Sequence, residues 1–296
     1  MTPTIHLVDG SLYVCRAWFG QGPDVFDAAG EPAHAVHGFV RFLLELIERA
    51  RPSHLAVAFD LSLGGSFRHA LYPAYKANRP PAPPDLQRQF AACTALAHAL
   101  GATVLADAGF EADDLIGSAL AVARAAGHRG VIVSADKDFG QLIGADDEQW
   151  DPPRNQRWDA AGIRQRLGVH PHQVADYLAL TGDPVDNIPG VAGVGAKTAA
   201  ILLAHYGCLD AILARTDEVA FLRLRGAAAI AARLREQAAA ARLSRALTGI
   251  ATDAPVPDSI DAYGRRGIDA NMHDLLDRYA FGALTRARVQ ALAERC

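Results

Sequence analysis

Two short groups of carboxylates lie in the middle of the chain. Glu111, Asp113 and Asp114 precede one apolar run, and Asp136 and Asp138 follow another. Acidic residues also favour the first turn of a helix, where free N–H groups attract negative charge, and this would explain one or two of them. Carboxylates this close raise each other's pKa unless a cation lies among them, and the last four have no obvious cationic partner in the sequence. Since Mg²⁺ prefers carboxylate oxygens and water, the pattern favours a divalent-metal site that repels itself when empty.

The segments around these acids alternate between strand and helix patterns. Short apolar runs predict buried strands at 5–8, 55–59, 103–105 and 131–135, and helical spacing predicts helices at 34–50, 86–100 and 113–126. Such alternation is typical of an α/β fold with a mostly parallel sheet covered by helices on both faces.

Three of the predicted strands end on aspartate: Asp9, Asp60 and Asp136. Parallel sheets bind ligands beyond the carboxyl ends of their strands, so these side chains are expected to meet there, beside the 111–114 acids. So many carboxylates exceed what one Mg²⁺ uses directly. Two metal ions a few ångströms apart, the arrangement that clamps attacking and leaving oxygens in phosphodiester hydrolysis, are therefore indicated.

The segment between the second strand and the next helix is polar and basic, and four prolines fall within 80–84. One interpretation is a surface loop with ordinary solvated charges. Its position directly after a site aspartate favours another, in which Arg68, Lys76 and Arg79 hold phosphate and Tyr75 offers a ring face to a base. The proline-rich end is expected to be stiff and extended.

A glycine-rich loop precedes the helical pattern that starts near Lys197. Three glycines in six residues, Gly190, Gly193 and Gly195, permit a tight turn whose N–H groups point outward at a helix N-terminus, as in phosphate-binding loops. The loop nearly matches a nucleotide-binding P-loop, but Ala196 separates Gly195 from Lys197 and a helix precedes it. A plain helix–helix turn remains open. Two helices that grip a nucleic-acid backbone fit the pattern best.

The remaining chain is mainly helical by pattern. Residues 209–248 are rich in Ala, Leu and Arg and predict helix, with some arginines facing DNA. A last helical stretch at 272–279 is expected to pack back onto the body. Asp151-Pro152-Pro153 marks a composition shift and an expected domain edge.

Composition places broad limits on the protein. The chain has 296 residues, half of them hydrophobic, which is enough for a sizeable core. The net charge is −4, but the rest of the chain is net positive once the candidate metal acids are set aside, so overall charge decides little. Scattered Cys15, Cys93, Cys208 and Cys296 indicate reduced thiols rather than disulfides or a zinc site. No export signal or membrane span is evident, which predicts a cytoplasmic protein without a membrane partner.

These motifs together resemble the 5′ nuclease (flap endonuclease) family, most closely the 5′→3′ exonuclease domain of bacterial DNA polymerase I. The matching segments are Leu7 to Ser11, Phe59-Asp60, Tyr75 to Pro80, Glu111 to Asp114, Asp136 to Asp138 and Gly182 to Gly190. They occur in the family's order between residue 5 and about residue 200, and the glycine loop after them is similar to the family's helix–three-turn–helix motif.

The resemblance implies a hydrolase: a divalent-metal-dependent, structure-specific 5′ nuclease, both 5′→3′ exodeoxyribonuclease and 5′-flap endonuclease, in DNA replication or repair. It implies two Mg²⁺ ions, with Mn²⁺ able to substitute, and K⁺ at the glycine loop. It implies the following metal ligands: Asp9, Asp60, Glu111, Asp113, Asp114, Asp136, Asp138, Asp183 and Asp186. Lys76 and Arg79 would be catalytic at the foot of a helical arch that grips the scissile phosphate, and Gly190 to Lys197 would hold duplex DNA.

The predicted organisation has two parts. Residues 1–170 form a PIN-like, resolvase-like α/β nuclease core with an arch at about 61–90. Residues 171–296 form a helical DNA-binding region with a helix–three-turn–helix at about 171–205 and C-terminal helices. The expected partner is DNA with 5′ flaps, nicks or free 5′ ends, bound by a monomer that associates with the nucleoid when working. Since the sequence ends at Cys296, a nuclease without an attached polymerase is expected.

Two other classes of protein would have different sequence features. A DNA-junction-binding protein without catalysis would lack some of the site acids, and none is missing. A small PIN-type ribonuclease would share the acid-lined sheet but lack the long arch and the segment from Asp183 to Lys197, and both are present.

Overall fold

The structure is a computed structural model that describes residues 2–20, 22, 24–61 and 65–294. Cys296 and residues 62–64 of the predicted arch lie outside the described residues. Within them six strands form one sheet: β1 (Thr4–Asp9), β2 (His54–Ala58), β3 (Thr103–Leu105), β4 (Arg129–Val133), β5 (Glu148–Asp151) and β6 (Gln156–Trp158). Their spatial order is β3-β2-β1-β4-β5-β6. The first five are parallel to their neighbours and β6 runs antiparallel to β5, so the predicted mostly parallel α/β sheet is confirmed.

Fourteen α-helices and four 3-10 helices are present among the described residues. The α-helices are α1 (Gly10–Gly20), α2 (His34–Ala50), α3 (Phe67–Leu71), α4 (Pro84–Ala99), α5 (Ala112–Ala125), α6 (Ala160–Leu167), α7 (Val174–Thr181), α8 (Ala196–Tyr206), α9 (Leu209–Ala214), α10 (Thr216–Val219), α11 (Ala227–Glu236), α12 (Ala238–Thr248), α13 (Met272–Arg278) and α14 (Ala283–Ala293). The 3-10 helices are Lys137–Leu142, Pro152–Arg154, Pro171–Gln173 and Ile260–Tyr263.

Both faces of the sheet are buried, because successive side chains of a strand point to opposite faces. In β1, Ile5 and Leu7 belong to the apolar cluster that also contains residues of α5, α7 and α8. The next residue, Val8, belongs to the cluster formed with α2 and α4. The central strands are therefore continuous apolar runs, which explains why the sequence pattern located them.

The C-terminal helices pack onto the α/β part of the molecule. Met272 and Leu276 of α13 and Val289 and Leu292 of α14 lie in the same apolar cluster as α2 and α4. The expectation that the last helical stretch packs back onto the body is confirmed. The predicted division of the chain at residue 170 stays a prediction.

Two details differ from the sequence analysis. Residues 209–248 form four helices, α9 to α12, and Gly226 precedes α11 with φ of 76°, a left-handed conformation that interrupts a continuous helix. The expected edge at Asp151-Pro152-Pro153 lies in the connection between β5 and β6, inside the sheet. In the described part of the chain, no helix combines the length and the apolar character needed to span a membrane.

Candidate active site

The acids predicted at strand ends lie at one edge of the sheet. Asp9 ends β1, and Asp60 and Asp136 follow shortly after β2 and β4. β1 pairs in parallel with both strands, so the three carboxyl ends are neighbours. The Asp60 backbone N–H donates to Ser11 Oγ at 2.9 Å, and Asp60 Oδ1 accepts the N–H of Ala112 at 2.9 Å. These bonds fix the end of β2 against the first turns of α1 and α5.

Asp9 is held between two donors in a buried position. Asp9 is only 6% exposed. Its Oδ1 accepts a hydrogen bond from the N–H of Leu12 at 2.9 Å, and its Oδ2 accepts one from the Ser134 hydroxyl at 2.9 Å. Burial raises the pKa of Asp9 to about 7, with the Leu12 hydrogen bond opposing the shift and the charges of Asp60 and Asp136 adding to it. Asp9 is therefore a carboxylate that a nearby cation would stabilise.

Asp113, in the first turn of α5, faces the same three aspartates. Burial raises its pKa well above the ordinary value, and the charges of Asp9, Asp136 and Asp60 raise it further. Lys76 opposes this shift. We call Asp9, Asp60, Asp113 and Asp136 the acidic cluster. Its members repel one another in the absence of a cation, as predicted.

Lys137 lies between two further acids. Its Nζ is 2.7 Å from Asp183 Oδ2 and 3.3 Å from Asp138 Oδ1. Burial raises the pKa of Asp138 to about 7 and Asp136 adds to the shift, whereas Lys137 opposes it. For Asp183, burial also favours a higher pKa, but the hydrogen bond and charge of Lys137 hold the pKa below its usual range. The expectation that Asp138 has no cationic partner is therefore wrong, and sequence reasoning missed Lys137 although it lies between two site acids.

Asp114 differs from its neighbours because it is fully buried and paired with Arg68. Asp114 is 0% and Arg68 3% exposed, and two bonds of 2.7 and 2.8 Å join the guanidinium to the carboxylate. The same carboxylate also accepts the N–H of Ala251 and of Glu111, at 2.8 and 3.1 Å. Both oxygens are thus occupied by protein donors, which contradicts the expectations that Asp114 lacks a cation and is free to bind metal.

Arg68 was expected to hold phosphate, and its placement contradicts this. Besides Asp114, it donates to the carbonyl oxygens of Leu247 at 2.9 Å and Gly249 at 2.7 Å. The guanidinium therefore joins α3 to α5 and to the end of α12. In the sequence Arg68 looks like any arginine in a loop. Only the fold shows that its role differs from those of Lys76 and Arg79.

Glu111 is surrounded by donors from the arch segment. Lys76 Nζ lies 2.9 Å from Oε1, and the Tyr75 hydroxyl donates to Oε2 at 3.0 Å. Burial alone would raise the pKa of Glu111, but the charges of Lys76 and Arg68 hold it below its usual range. Tyr75 is 3% exposed, so its ring cannot serve as an open stacking face in this arrangement, contrary to prediction.

A second contact joins the arch to the turn that contains Asp186. Arg79 donates to Asp186 Oδ1, and Lys76 Nζ lies 4.0 Å from Oδ2 of the same carboxylate. The Lys76 N–H donates to the Asp186 carbonyl oxygen at 3.0 Å, and Asn187 Nδ2 donates to Ala74 O at 2.7 Å. Lys76 and Asn187 both have positive φ, 55° and 57°, which is uncommon for residues other than glycine. The basic pair is thus brought beside the site, but bound to its acids.

The glycine loop lies between α7 and α8, as the helix–turn–helix prediction requires. Gly190 and Gly193 adopt φ of 65° and 78°, and a Cβ on Gly193 would lie 2.0 Å from Arg233 Nη1. Gly195, the residue before α8, has φ of −90°, and no atom of the described residues lies within 4 Å of a Cβ built on it. Lys197 is exposed in the first turn of α8. The N-terminus of the eleven-residue helix α8 therefore presents an open backbone and Lys197, which has no ion-pair partner among the described residues.

The side chains at this edge of the sheet offer a set of donors to a divalent cation. Within the described residues, no group of three or more His, Cys, Asp or Glu side chains is arranged to hold a metal ion as the side chains stand. The chemistry of the donors nevertheless fits one, because they are all oxygen ligands, and burial together with the charges of neighbouring carboxylates raises the pKa values of Asp9 and Asp113.

The chain belongs to the 5′-3′ exonuclease family, whose members are hydrolases that act on DNA. The family model described as "5′-3′ exonuclease, N-terminal resolvase-like domain" matches residues 4–168, and "5′-3′ exonuclease, C-terminal SAM fold" matches residues 169–271. The resemblance read from the motifs is confirmed by these matches.

Curated relatives include DNA polymerase I of Pseudomonas aeruginosa, 42% identical over 257 residues that cover 86% of this chain and 28% of that protein. DNA polymerase I of Mycobacterium tuberculosis is 35% identical over 297 residues, covering 98% of this chain and 32% of that protein. The chain thus spans about a third or less of the length of these relatives.

Solved structures confirm the fold. The 5′-exonuclease of bacteriophage T5 with bound zinc ions has a TM-score of 0.68 at 16% identity, covering 98% of both chains. The catalytic core of Rad2 in complex with DNA substrate has a TM-score of 0.66 at 14% identity, covering 100% of this chain and 93% of that one.

Proposed function

We propose that this protein is a divalent-metal-dependent 5′ nuclease that hydrolyses DNA at 5′ flaps, nicks and free 5′ ends. The observation that carries the proposal is the acidic cluster, whose four carboxylates converge from the ends of three parallel strands and from α5. Within it, burial and the charges of the neighbouring carboxylates raise the pKa values of Asp9 and Asp113. The divalent metal of the T5 neighbour and the DNA of the Rad2 neighbour support the same assignment.

The acidic cluster and Asp138 are the residues that would hold the metal, with Asp183 and Asp186 next to them. Two Mg²⁺ ions bound there would supply a nucleophilic water at neutral pH and stabilise the leaving oxygen. Mn²⁺ offers similar oxygen-ligand chemistry and should substitute. Asp114 is left out of this set because Arg68 and backbone N–H groups occupy it.

Lys76 and Arg79 would stabilise the negative charge that develops on the scissile phosphate. In the structure they are bound to Glu111 and Asp186. Binding of the substrate would therefore require an exchange of partners, from these carboxylates to the phosphate. Until DNA binds, the ion pairs with Glu111 and Asp186 keep both cations beside the acidic cluster.

The glycine loop would hold the duplex part of the substrate through backbone N–H groups and Lys197, with K⁺ as an additional bridge to phosphate. This places the duplex on α7 and α8 and the 5′ end beside α3 and α5. We further propose that the protein acts as a monomer.

The test is cleavage of end-labelled 5′-flap, nicked and single-stranded DNA by the purified protein in Mg²⁺, Ca²⁺ and EDTA. We expect cleavage in Mg²⁺ only. Asp136→Asn should lose several orders of magnitude in rate while still binding flap DNA, and Asp253→Asn, an exposed acid outside the site, should behave as native. Substantial cleavage in EDTA would refute the metal-dependent mechanism, and binding without any cleavage would identify a junction-binding protein instead.

A further inference from the structure

The connection between α10 and α11 exposes an unusual set of side chains. Phe221 is 87% exposed, and Arg223 and Arg225 are exposed as well, with no ion-pair partner for either in the described part of the chain. The alternate residues Leu222 and Leu224 point inward and pack against the main apolar cluster. The segment 221–226, which we call the Phe-Arg loop, is therefore fixed in place with an aromatic ring and two cations turned outward.

The loop's backbone is also held locally. The N–H of Phe221 donates to the carbonyl oxygen of Glu218 at 3.0 Å, and the N–H of Ala227 donates to that of Leu224 at 3.2 Å. The acids that precede the loop are Asp217, which is paired with Arg235, and Glu218. Among the described residues, Arg223 and Arg225 have no ion-pair partner and Glu218 is the one neighbouring acid without such a partner, so the loop is net positive.

Helix α11 follows the Phe-Arg loop in the chain, and its far end contacts the glycine loop. Near its far end, Arg233 Nη1 donates to the carbonyl oxygen of Ala192 at 3.3 Å, and Gln237 Oε1 accepts the Ala192 N–H at 2.9 Å. The two loops thus lie at opposite ends of a ten-residue helix, which is about 15 Å long. One strand of duplex DNA advances about 3.4 Å per nucleotide, so this length corresponds to roughly four base-pair steps.

We propose that the Phe-Arg loop is a second contact for the duplex arm of the substrate, about four base pairs beyond the glycine loop. Arg223 and Arg225 bind phosphates, and Phe221 packs on the apolar face of a neighbouring sugar or on the terminal base pair. The inference rests on the proposed function, because it extends the surface that holds the same DNA.

The test is equilibrium binding of flap substrates in Ca²⁺, with duplex arms lengthened one base pair at a time. For the native protein, affinity should rise when the arm is long enough to reach the glycine loop, and rise a second time when it reaches the Phe-Arg loop. Arg223→Ala/Arg225→Ala should lose this second rise, bind long arms roughly tenfold more weakly, and lower the slope of log affinity against log salt by about two. Arms too short to reach the loop should be bound as by the native protein.

Two further variants sharpen the test. Arg223→Lys/Arg225→Lys keeps the charge and should restore the salt slope, and Arg41→Ala, an exposed arginine on α2, should change nothing. Phe221→Ala should weaken binding of long arms alone. Equal losses on short and long arms, or native binding by the double alanine variant, would overturn the proposal. If the native protein forms dimers and Phe221→Ala dissociates them, the loop serves self-association instead.

Failure of this inference is distinguishable from failure of the proposed function. Under single-turnover conditions with saturating enzyme in Mg²⁺, the double alanine variant should cleave a short-armed flap at the native rate. If the native protein itself neither binds nor cleaves that flap, the proposed function fails. If it does both and arm length has no effect, only the Phe-Arg loop assignment fails.

Discussion

The ammonium of Lys76 lies 2.9 Å from Oε1 of Glu111, within an arch segment whose backbone is bonded to the turn at Asp186. This ion pair joins a cation proposed to face the scissile phosphate to an acid at the edge of the acidic cluster. Both side chains are largely buried. The charge that the reaction would use is therefore already in position before DNA binds.

Lys76→Ala should lower the single-turnover cleavage rate by roughly a hundredfold or more, the scale of losing one preorganised donor. Equilibrium binding of flap DNA in Ca²⁺ should change much less, because an interaction that strengthens in the transition state affects rate more than affinity. Lys197→Ala is the control and should show the reverse pattern, weaker binding with little loss of rate at saturation. Equal losses of rate and affinity for Lys76→Ala would mean that this residue only holds DNA.

Asp113→Asn should stabilise the metal-free protein at about pH 8. Burial and the charges of neighbouring carboxylates raise the pKa of Asp113 on folding, and they raise that of Asp9 from 3.8 to about 7. In the pH window between 3.8 and about 7, the folded state therefore retains protons that the unfolded chain has lost. The free energy of unfolding therefore falls as pH rises through the window. The variant should melt a few degrees higher at about pH 8, where about 1 kcal/mol shifts Tm by about 2–4 °C, and near the native Tm at about pH 5.

Thermal unfolding with a chelator at both pH values measures this difference. Asp253→Asn, outside the site, should leave Tm unchanged at either pH. A lower Tm for Asp113→Asn at about pH 8 would show that the acidic cluster does not repel itself. Mg²⁺ should raise the native Tm more than that of the variant, since it binds the folded cluster.

Arg68→Ala should destabilise the fold by about 3–5 kcal/mol, because it leaves the buried Asp114 charge unpaired. Arg79→Ala is the matched change at an arginine whose side chain is 38% exposed, and it should cost about 1 kcal/mol or less. Urea unfolding of both variants gives the comparison. A normally stable Arg68→Ala protein that has lost DNA affinity would return this residue to the phosphate-binding role that its position in the arch suggested.

Gly195→Ala isolates the proposed contact between the glycine loop and phosphate. Gly193→Val is a poor test, since Gly193 has φ of 78° and its Cβ would meet Arg233, so the variant would be strained whether or not DNA binds there. At Gly195 a methyl group is free of backbone strain and meets no atom within 4 Å in the described part of the chain. We expect a severalfold loss of duplex affinity with an unchanged Tm, by crowding the approach of the backbone.

Gly282→Ala provides a close control for that substitution. Gly282 also precedes a helix and has φ of −74°, and a Cβ built on it meets no atom within 4 Å among the residues that the structure describes. Gly282 lies before α14, away from the glycine loop, so the Gly282→Ala variant should bind duplex DNA with native affinity. Equal effects of the two substitutions, or none from either, would leave the glycine loop as a structural turn only.

The sequence by itself determined the sheet and the edge at which the acids meet. Buried parallel strands are apolar throughout and end abruptly at polar residues, so β1, β2 and β4 and the positions of Asp9, Asp60 and Asp136 followed from local pattern alone. The strands β5 and β6 escaped notice because Glu148–Asp151 and Gln156–Trp158 contain no apolar run. Their place in the sheet depends on the pairing of β5 with β4 and of β6 with β5 rather than on their own composition.

Only the tertiary structure decided which charged residues are free to act. Arg68, Lys76 and Arg79 look alike in the sequence, yet Arg68 is buried against Asp114, 46 residues away, while the other two lie beside the acidic cluster. Likewise Asp113 and Asp114 are adjacent, but successive residues of a helix point in directions about 100° apart, so one faces the acidic cluster and the other the protein interior. An ion pair depends on distances between segments remote in the chain, and no local pattern contains those distances.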